Sequence, residues 1–188
     1  MAEIILASQS PRRKQLLEWA EIPFDIIIKE TSEDYPPGLH PEEVAIYIAR
    51  QKAYAVQRSV SSVQTILAAD TIVVLEDHII GKPVHREDAV SMLLALSGEK
   101  HRVVTGVVIK KGATEIAFAD VTEVEFHDLS EEQIEFYVDK YKPYDKAGAY
   151  AIQEWIGVVG IRSIHGDFYN VMGLPVSRVV KELEKISR

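Results

Sequence analysis

The sequence predicts an α/β fold, a mixed sheet flanked by helices. Three observations predict it. Short β-branched runs alternate with helix-period segments along the whole chain. One of those runs, Thr65–Leu75, is apolar almost without a break, as a strand covered on both faces must be. Two longer strand-like segments, His101–Ile109 and Thr114–Phe126, surround Lys111-Gly112 and read as a hairpin.

Each element has a local reason. Glu3–Ala7 is a short strand that ends at Ser8-Gln9-Ser10-Pro11, where Ser10 suits an N-cap and Pro11 the first helical position. The helix that follows should reach about Trp19, with Leu16 and Leu17 inward. Phe24–Ile28 is the second strand, and residues 30–40, with Pro36-Pro37-Gly38, are loop by composition. Pro41-Glu42-Glu43 opens a helix to about Arg58 with acids in its first turn, as the helix dipole favours. After Thr65–Leu75, a turn at Glu76–His78 leads to Ile79-Ile80-Gly81-Lys82-Pro83. Glu87–Leu96 is an amphipathic helix closed by Gly98. Ser130 and Gln133 form a capping box for a helix to about Tyr141. The loop Lys142–Gln153 precedes a strand near Gly157–Ile164. Pro175 starts a last helix whose core stripe is Val176, Val179, Val180, Leu183 and Ile186.

Composition excludes several classes of function. With 188 residues the chain buries roughly 70% of its unfolded surface, enough for a single domain over residues 1–188. Its 21 Lys+Arg against 29 Asp+Glu give a net charge of −8, the wrong sign for broad binding to nucleic acid. There is no cysteine, hence no disulfide, thiolate metal site or cysteine nucleophile. No apolar run approaches the roughly 20 residues that span a membrane, and the N-terminal run lacks the basic flank of a signal peptide. A cytoplasmic protein is the expectation. The six histidines show no metal-ligand spacing, and no GxSxG elbow, complete P-loop or GxGxxG fingerprint occurs.

Three features suggest where chemistry sits. Arg12, Arg13 and Lys14 crowd a helix N-terminus, where each cation is misplaced by up to ~1 kcal/mol. They make sense if an anion binds there with the Ser8 and Ser10 hydroxyls, and they are otherwise a solvated basic face. Asp70 interrupts the most hydrophobic stretch of the chain; it is either satisfied at a strand bend or paired for function. Lys52 shares a helix face with Ala45, Ile48, Ala49 and Val56, so it either snorkels to the rim or meets a carboxylate or phosphate. Lys82 after Gly81, the loop residue Glu33 and the hydroxyl of Thr71 complete the set. Cations for phosphates beside oxygen ligands suited to Mg²⁺ or Mn²⁺ describe metal-assisted phosphoryl chemistry.

At these residues the sequence resembles the Maf family of nucleoside triphosphate pyrophosphatases. The matching segments are Ser8-Gln9-Ser10-Pro11-Arg12-Arg13, the Glu33 loop, Ala49-Arg50-Gln51-Lys52-Ala53, Ala69-Asp70-Thr71 and Gly81-Lys82-Pro83. They continue through Gly98–Gly106, Asp145–Tyr150 with Ile152-Gln153, and Asn170–Pro175. The resemblance implies an elongated mixed sheet in two lobes with a central cleft, and a homodimer. It implies hydrolysis of a nucleoside triphosphate to the monophosphate and pyrophosphate. Asp70 falls on the family's catalytic acid, and Glu33 on the second carboxylate for the divalent metal. Ser8, Arg12, Arg13, Lys52 and Lys82 fall on phosphate-facing positions. Arg12, Thr71 and Gln153 resemble the branch acting on dTTP and UTP, and the Gln153 amide can read a pyrimidine O4 and N3–H edge. Lys142 departs from the pattern, since relatives usually carry Glu before this proline. Two alternatives stay open: a regulator that binds nucleotide without turnover, and an enzyme for modified nucleotides.

Overall fold

Parallel pairing frames the first part of the sheet. The computed structural model describes residues 3–186. Strand β1 (Ile4–Leu6) lies between β2 (Phe24–Ile26) and β3 (Thr65–Leu75), parallel to both, with Leu6 level with Leu67. The seven-stranded sheet runs β2-β1-β3-β5-β6-β7, where β5 is Lys100–Lys111, β6 is Thr114–Phe126 and β7 is Ile161–His165. Strand β4 (His78–Ile80) pairs antiparallel with the end of β3, and β7 antiparallel with β6, so the sheet is mixed. The hairpin turn between β5 and β6 contains Gly112 at φ 56, a left-handed conformation that glycine adopts without strain.

The chain forms two compact units. The first takes residues up to Thr71, Thr105–Asp120, and those from Gly173 onward; the second takes Ile72–Val104 and Val121–Met172.

In the first unit, helix α1 (Pro11–Trp19) starts as expected at Ser10, whose hydroxyl accepts from the Arg13 N–H. Helix α2 (Pro41–Gln57) begins with the Glu43 carboxylate accepting from the His40 N–H at 2.9 Å. Its buried face includes Ala49, Ala53 and Val56, which pack with Ile5, Ala7, Ile66, Ala68 and Val108 of the strands. Small side chains let the helix approach closely. A Cβ on Gly106 of β5 would lie 2.2 Å from the Ala45 carbonyl carbon, so only glycine fits there. That close approach fixes where Lys52 stands. Helix α7 (Val176–Ile186) closes the unit, with the Arg178 guanidinium 4.2 Å from the Phe118 ring centroid.

In the second unit, helix α3 (Arg86–Leu96) starts at His85, whose ring nitrogen accepts from the Asp88 N–H, and helix α4 (Glu131–Tyr141) has the expected capping box of Ser130 and Gln133. One expectation fails. The region expected as a strand near Gly157–Ile164 starts as a short helix, α5 (Trp155–Gly160), and pairs in the sheet only from Ile161. Its β-branched residues gave the strand signal, but Val158 is 80% exposed and gains nothing from a sheet interior. A Cβ on Gly157 would meet the Ile152 carbonyl oxygen at 1.6 Å, which shows how tightly this turn folds on its lead-in. A second short helix, α6 (Phe168–Met172), carries too little apolar periodicity to be read from sequence; the Asp167 carboxylate accepts from the Tyr169 N–H at 2.7 Å at its start.

His101, Phe126 and Tyr150 form an edge-to-face cluster in this unit, with centroids 5.0–5.5 Å apart. His101 Nε2 meets the Tyr150 hydroxyl at 2.7 Å. Burial lowers the His101 pKa to about 4, so the imidazole is neutral at pH 7. Because this folded-state pKa lies below the ordinary 6.5, the stability is fully present above pH 6.5 and is lost as pH falls toward about 4. The loss amounts to up to about 3 kcal/mol. Urea titrations at a series of pH values should show one proton less of pH dependence over that window in His101→Gln; an unchanged slope would contradict the assignment.

Candidate active site

A carboxylate inside an apolar strand needs a cation. Asp70 of β3 has one: Lys52 Nζ of α2 lies 2.6 Å from its Oδ1. The two side chains are only 11% and 19% exposed, so the pair is shielded from solvent. The same ammonium lies 3.3 Å from Oε1 of Glu33, in the loop after β2. Three residues distant in sequence thus meet at one charge. Of the two readings of Lys52, the carboxylate partner is the one the structure adopts, on the apolar helix face anticipated from its spacing.

The loop after β1 lies beside this pair. Continuing the parallel register of β1 and β3 places Ser8 level with Ala69. The Ser8 hydroxyl accepts from the Ser10 N–H at 3.2 Å and from Arg13 Nη1 at 3.0 Å. Both lone pairs are then used, and the proton is left to donate. Arg13 turns inward and is 7% exposed. Its Nε donates to the Gly173 carbonyl at 2.8 Å and its Nη2 to the Thr71 hydroxyl at 2.9 Å. Burial lowers its pKa to about 10 while the nearby Asp70 charge opposes the shift, so it stays cationic at neutral pH. Its neighbour Arg12, half-buried at the second position of α1, is the more exposed of the two arginines.

Two of the sequence-derived residues belong to the second unit. Lys82 follows β4 and is exposed; the preceding Gly81 carbonyl accepts from the Gly148 N–H at 3.0 Å. Gln153 is exposed at the end of the loop after α4. That loop is tied down on both sides of Gln153: the Ala151 N–H donates to the Tyr137 hydroxyl at 3.1 Å, and the Glu154 carboxylate accepts from that hydroxyl. Buried Lys146 adds ion pairs to Asp145 at 2.8 Å and Glu154 at 3.7 Å.

Comparison with known proteins gives this geometry a family. A family model described as a Maf-like protein matches residues 3–186. The chain belongs to the Maf family. A protein of Cytophaga hutchinsonii named dTTP/UTP pyrophosphatase is 53% identical over 98% of this chain and 84% of its own length. Proteins of the same name from Parabacteroides distasonis and Porphyromonas gingivalis (strain ATCC 33277) are 46% and 48% identical over 97% of this chain and 95% and 93% of theirs.

The donor set of this Maf protein fits a hard divalent cation. Asp70 and Glu33 already share one cation, the Lys52 ammonium, so both carboxylates converge on a place that accepts positive charge. Among the described residues no cluster of three or more His, Asp or Glu could hold a metal alone. Two carboxylates completed by substrate phosphates are the usual arrangement for Mg²⁺.

Sequence reasoning missed Thr105, whose buried hydroxyl lies 2.9 Å from that of Thr71, and the carbonyl of Gly173. Gly173 had a signal, a glycine before Leu-Pro, and its φ of 122 is one that side-chain-bearing residues avoid. Tyr137 and Lys146 were invisible because their roles rest on contacts across a loop. Lys52→Met should lower stability by about 1–3 kcal/mol in urea, since Asp70 is left beside Glu33 without its cation. Adding Asp70→Asn should recover part of that loss, and a neutral single variant would contradict the pairing.

Proposed function

We propose that this Maf protein is a nucleoside triphosphate pyrophosphatase that hydrolyses dTTP and UTP to the monophosphate and pyrophosphate. One observation carries the reading: Glu33 and Asp70 converge on Lys52 at the Ser8–Arg13 loop, so paired acids stand beside a phosphate-type helix N-terminus. The near-full-length relatives named dTTP/UTP pyrophosphatase support the substrate class.

Each residue then has a task. Ser8 donates its remaining proton to a phosphate oxygen, and Arg12 and Lys82 offset phosphate charge as the transition state forms. Gln153 meets the O4 and N3–H edge of the pyrimidine with its carbonyl and amide. Asp70 orients water for attack at the α-phosphorus and takes a proton from it. The water oxygen bonds to the α-phosphorus, the bond to the bridging oxygen breaks, and pyrophosphate leaves with that oxygen. Lys52 balances the charge of Asp70 between turnovers. Glu33 and Asp70 would hold a divalent cation, Mg²⁺ or Mn²⁺, whose chemistry is to polarise phosphate oxygens and offset their charge. The substrates are free nucleotides, and the place of work is the cytoplasm. Among the described residues no helix is long and apolar enough to cross a membrane.

Pyrophosphate release from a panel of nucleoside triphosphates tests the reading. Release should be fastest from dTTP and UTP, should stop with EDTA and should return with Mg²⁺ or Mn²⁺. Asp70→Asn should lower kcat at least ~10²-fold. Silence across the panel from folded, metal-supplied protein would leave a nucleotide-binding protein without turnover.

A further inference from the structure

The hydroxyl of Thr71 is fully occupied inside the protein. It lies 2.9 Å from Arg13 Nη2, 2.9 Å from the Thr105 hydroxyl and 3.4 Å from the Gly173 carbonyl. A hydroxyl has one proton and two lone pairs. All three contacts are met together when Thr71 donates to Gly173 and accepts from Arg13 and Thr105. Nothing is then left for a nucleotide. Arg13 is largely committed too: three of its five N–H groups go to Gly173, Ser8 and Thr71, and little of it reaches the surface.

We propose that Arg13 is a positioning residue that clasps Ser8, Thr71 and the Gly173 turn, and that the Thr71 hydroxyl serves this clasp rather than the base. The inference rests on the pyrophosphatase reading for its kinetic consequences. Arg13 sets the direction in which Ser8 donates by filling one of its lone pairs. It holds the Thr71 side chain, through its hydroxyl, in one orientation beside the Gly173 turn. Pyrimidine selection at position 71 is then a matter of shape held in place by Arg13. A planar guanidinium can bond three partners at fixed angles; a lysine ammonium at the same place cannot reproduce that fork. The Gly173 turn belongs to the clasp because a Cβ there would lie 3.7 Å from both Arg13 Nε and Thr71 Oγ1, at a φ that other residues avoid.

The experiment compares wild type, Arg13→Lys, Thr71→Val and the double variant, with Thr71→Ser as the conservative replacement. The ratio of kcat/KM for dTTP over ATP is measured well below the unfolding transition of each protein. The clasp predicts that each single variant lowers this ratio about 10-fold, and that the double variant is no worse than either. Thr71→Ser, which restores the hydroxyl, should recover selectivity relative to Thr71→Val. Multiplying losses, about 100-fold in the double variant, would overturn the proposal. So would an Arg13→Lys loss equal for dTTP and ATP, which marks a direct contact to the triphosphate common to both. If wild type releases no pyrophosphate from any nucleotide, the functional reading fails and the clasp is decided by urea unfolding of the same proteins without ligand. Non-additive losses of stability there support it, and additive losses overturn it.

Discussion

The charge pair between Lys52 and Asp70 is the constraint on which the first unit depends. Asp70 stands in the middle of an apolar strand, so its carboxylate needs a cation that arrives from outside the sheet. The cation comes from α2, and α2 reaches it only because Ala49 and Ala53 are small and Gly106 has no side chain. Packing and electrostatics therefore specify the same helix position. A bulkier residue at any of these places would move Lys52 away from the one charge it must meet.

Around that pair the polar groups divide their work by how many partners each already has. Arg13 and Thr71 are committed to one another, to Ser8 and to Gly173. Ser8 has only a proton left to offer. A site built this way has its donors aimed before a substrate enters, which is what electrostatic stabilisation of phosphoryl transfer requires. In the second unit, Tyr137 and Glu154 do a comparable service for the loop that carries Gln153.

Much of this was legible in the sequence, and the exceptions have physical reasons. The α/β class, the Ser10 cap, the hairpin around Gly112 and the face of Lys52 follow from local chemistry and periodicity. The Asp70 signal was a charge in an apolar run, and its partner was one helix away. The strand expected near Gly157–Ile164 was misread because exposed Val158 and Val159 imitate a buried strand. Arg12 and Arg13, two adjacent arginines, look alike in sequence. Only the fold separates them, by turning one inward to Gly173, 160 positions away in the chain. Thr105 and Tyr137 likewise act through contacts that no local pattern encodes.

The chemistry proposed for this site requires Asp70 and Glu33 to act together on a metal-bound triphosphate. The most direct measurement is Mn²⁺ binding, followed by electron paramagnetic resonance, in the presence of a dTTP analogue with a methylene bridge between the α- and β-phosphorus. Wild type should bind the ion with the nucleotide, and both Asp70→Asn and Glu33→Gln should lose most of that binding while remaining folded. Binding as tight in Asp70→Asn as in wild type would contradict the account.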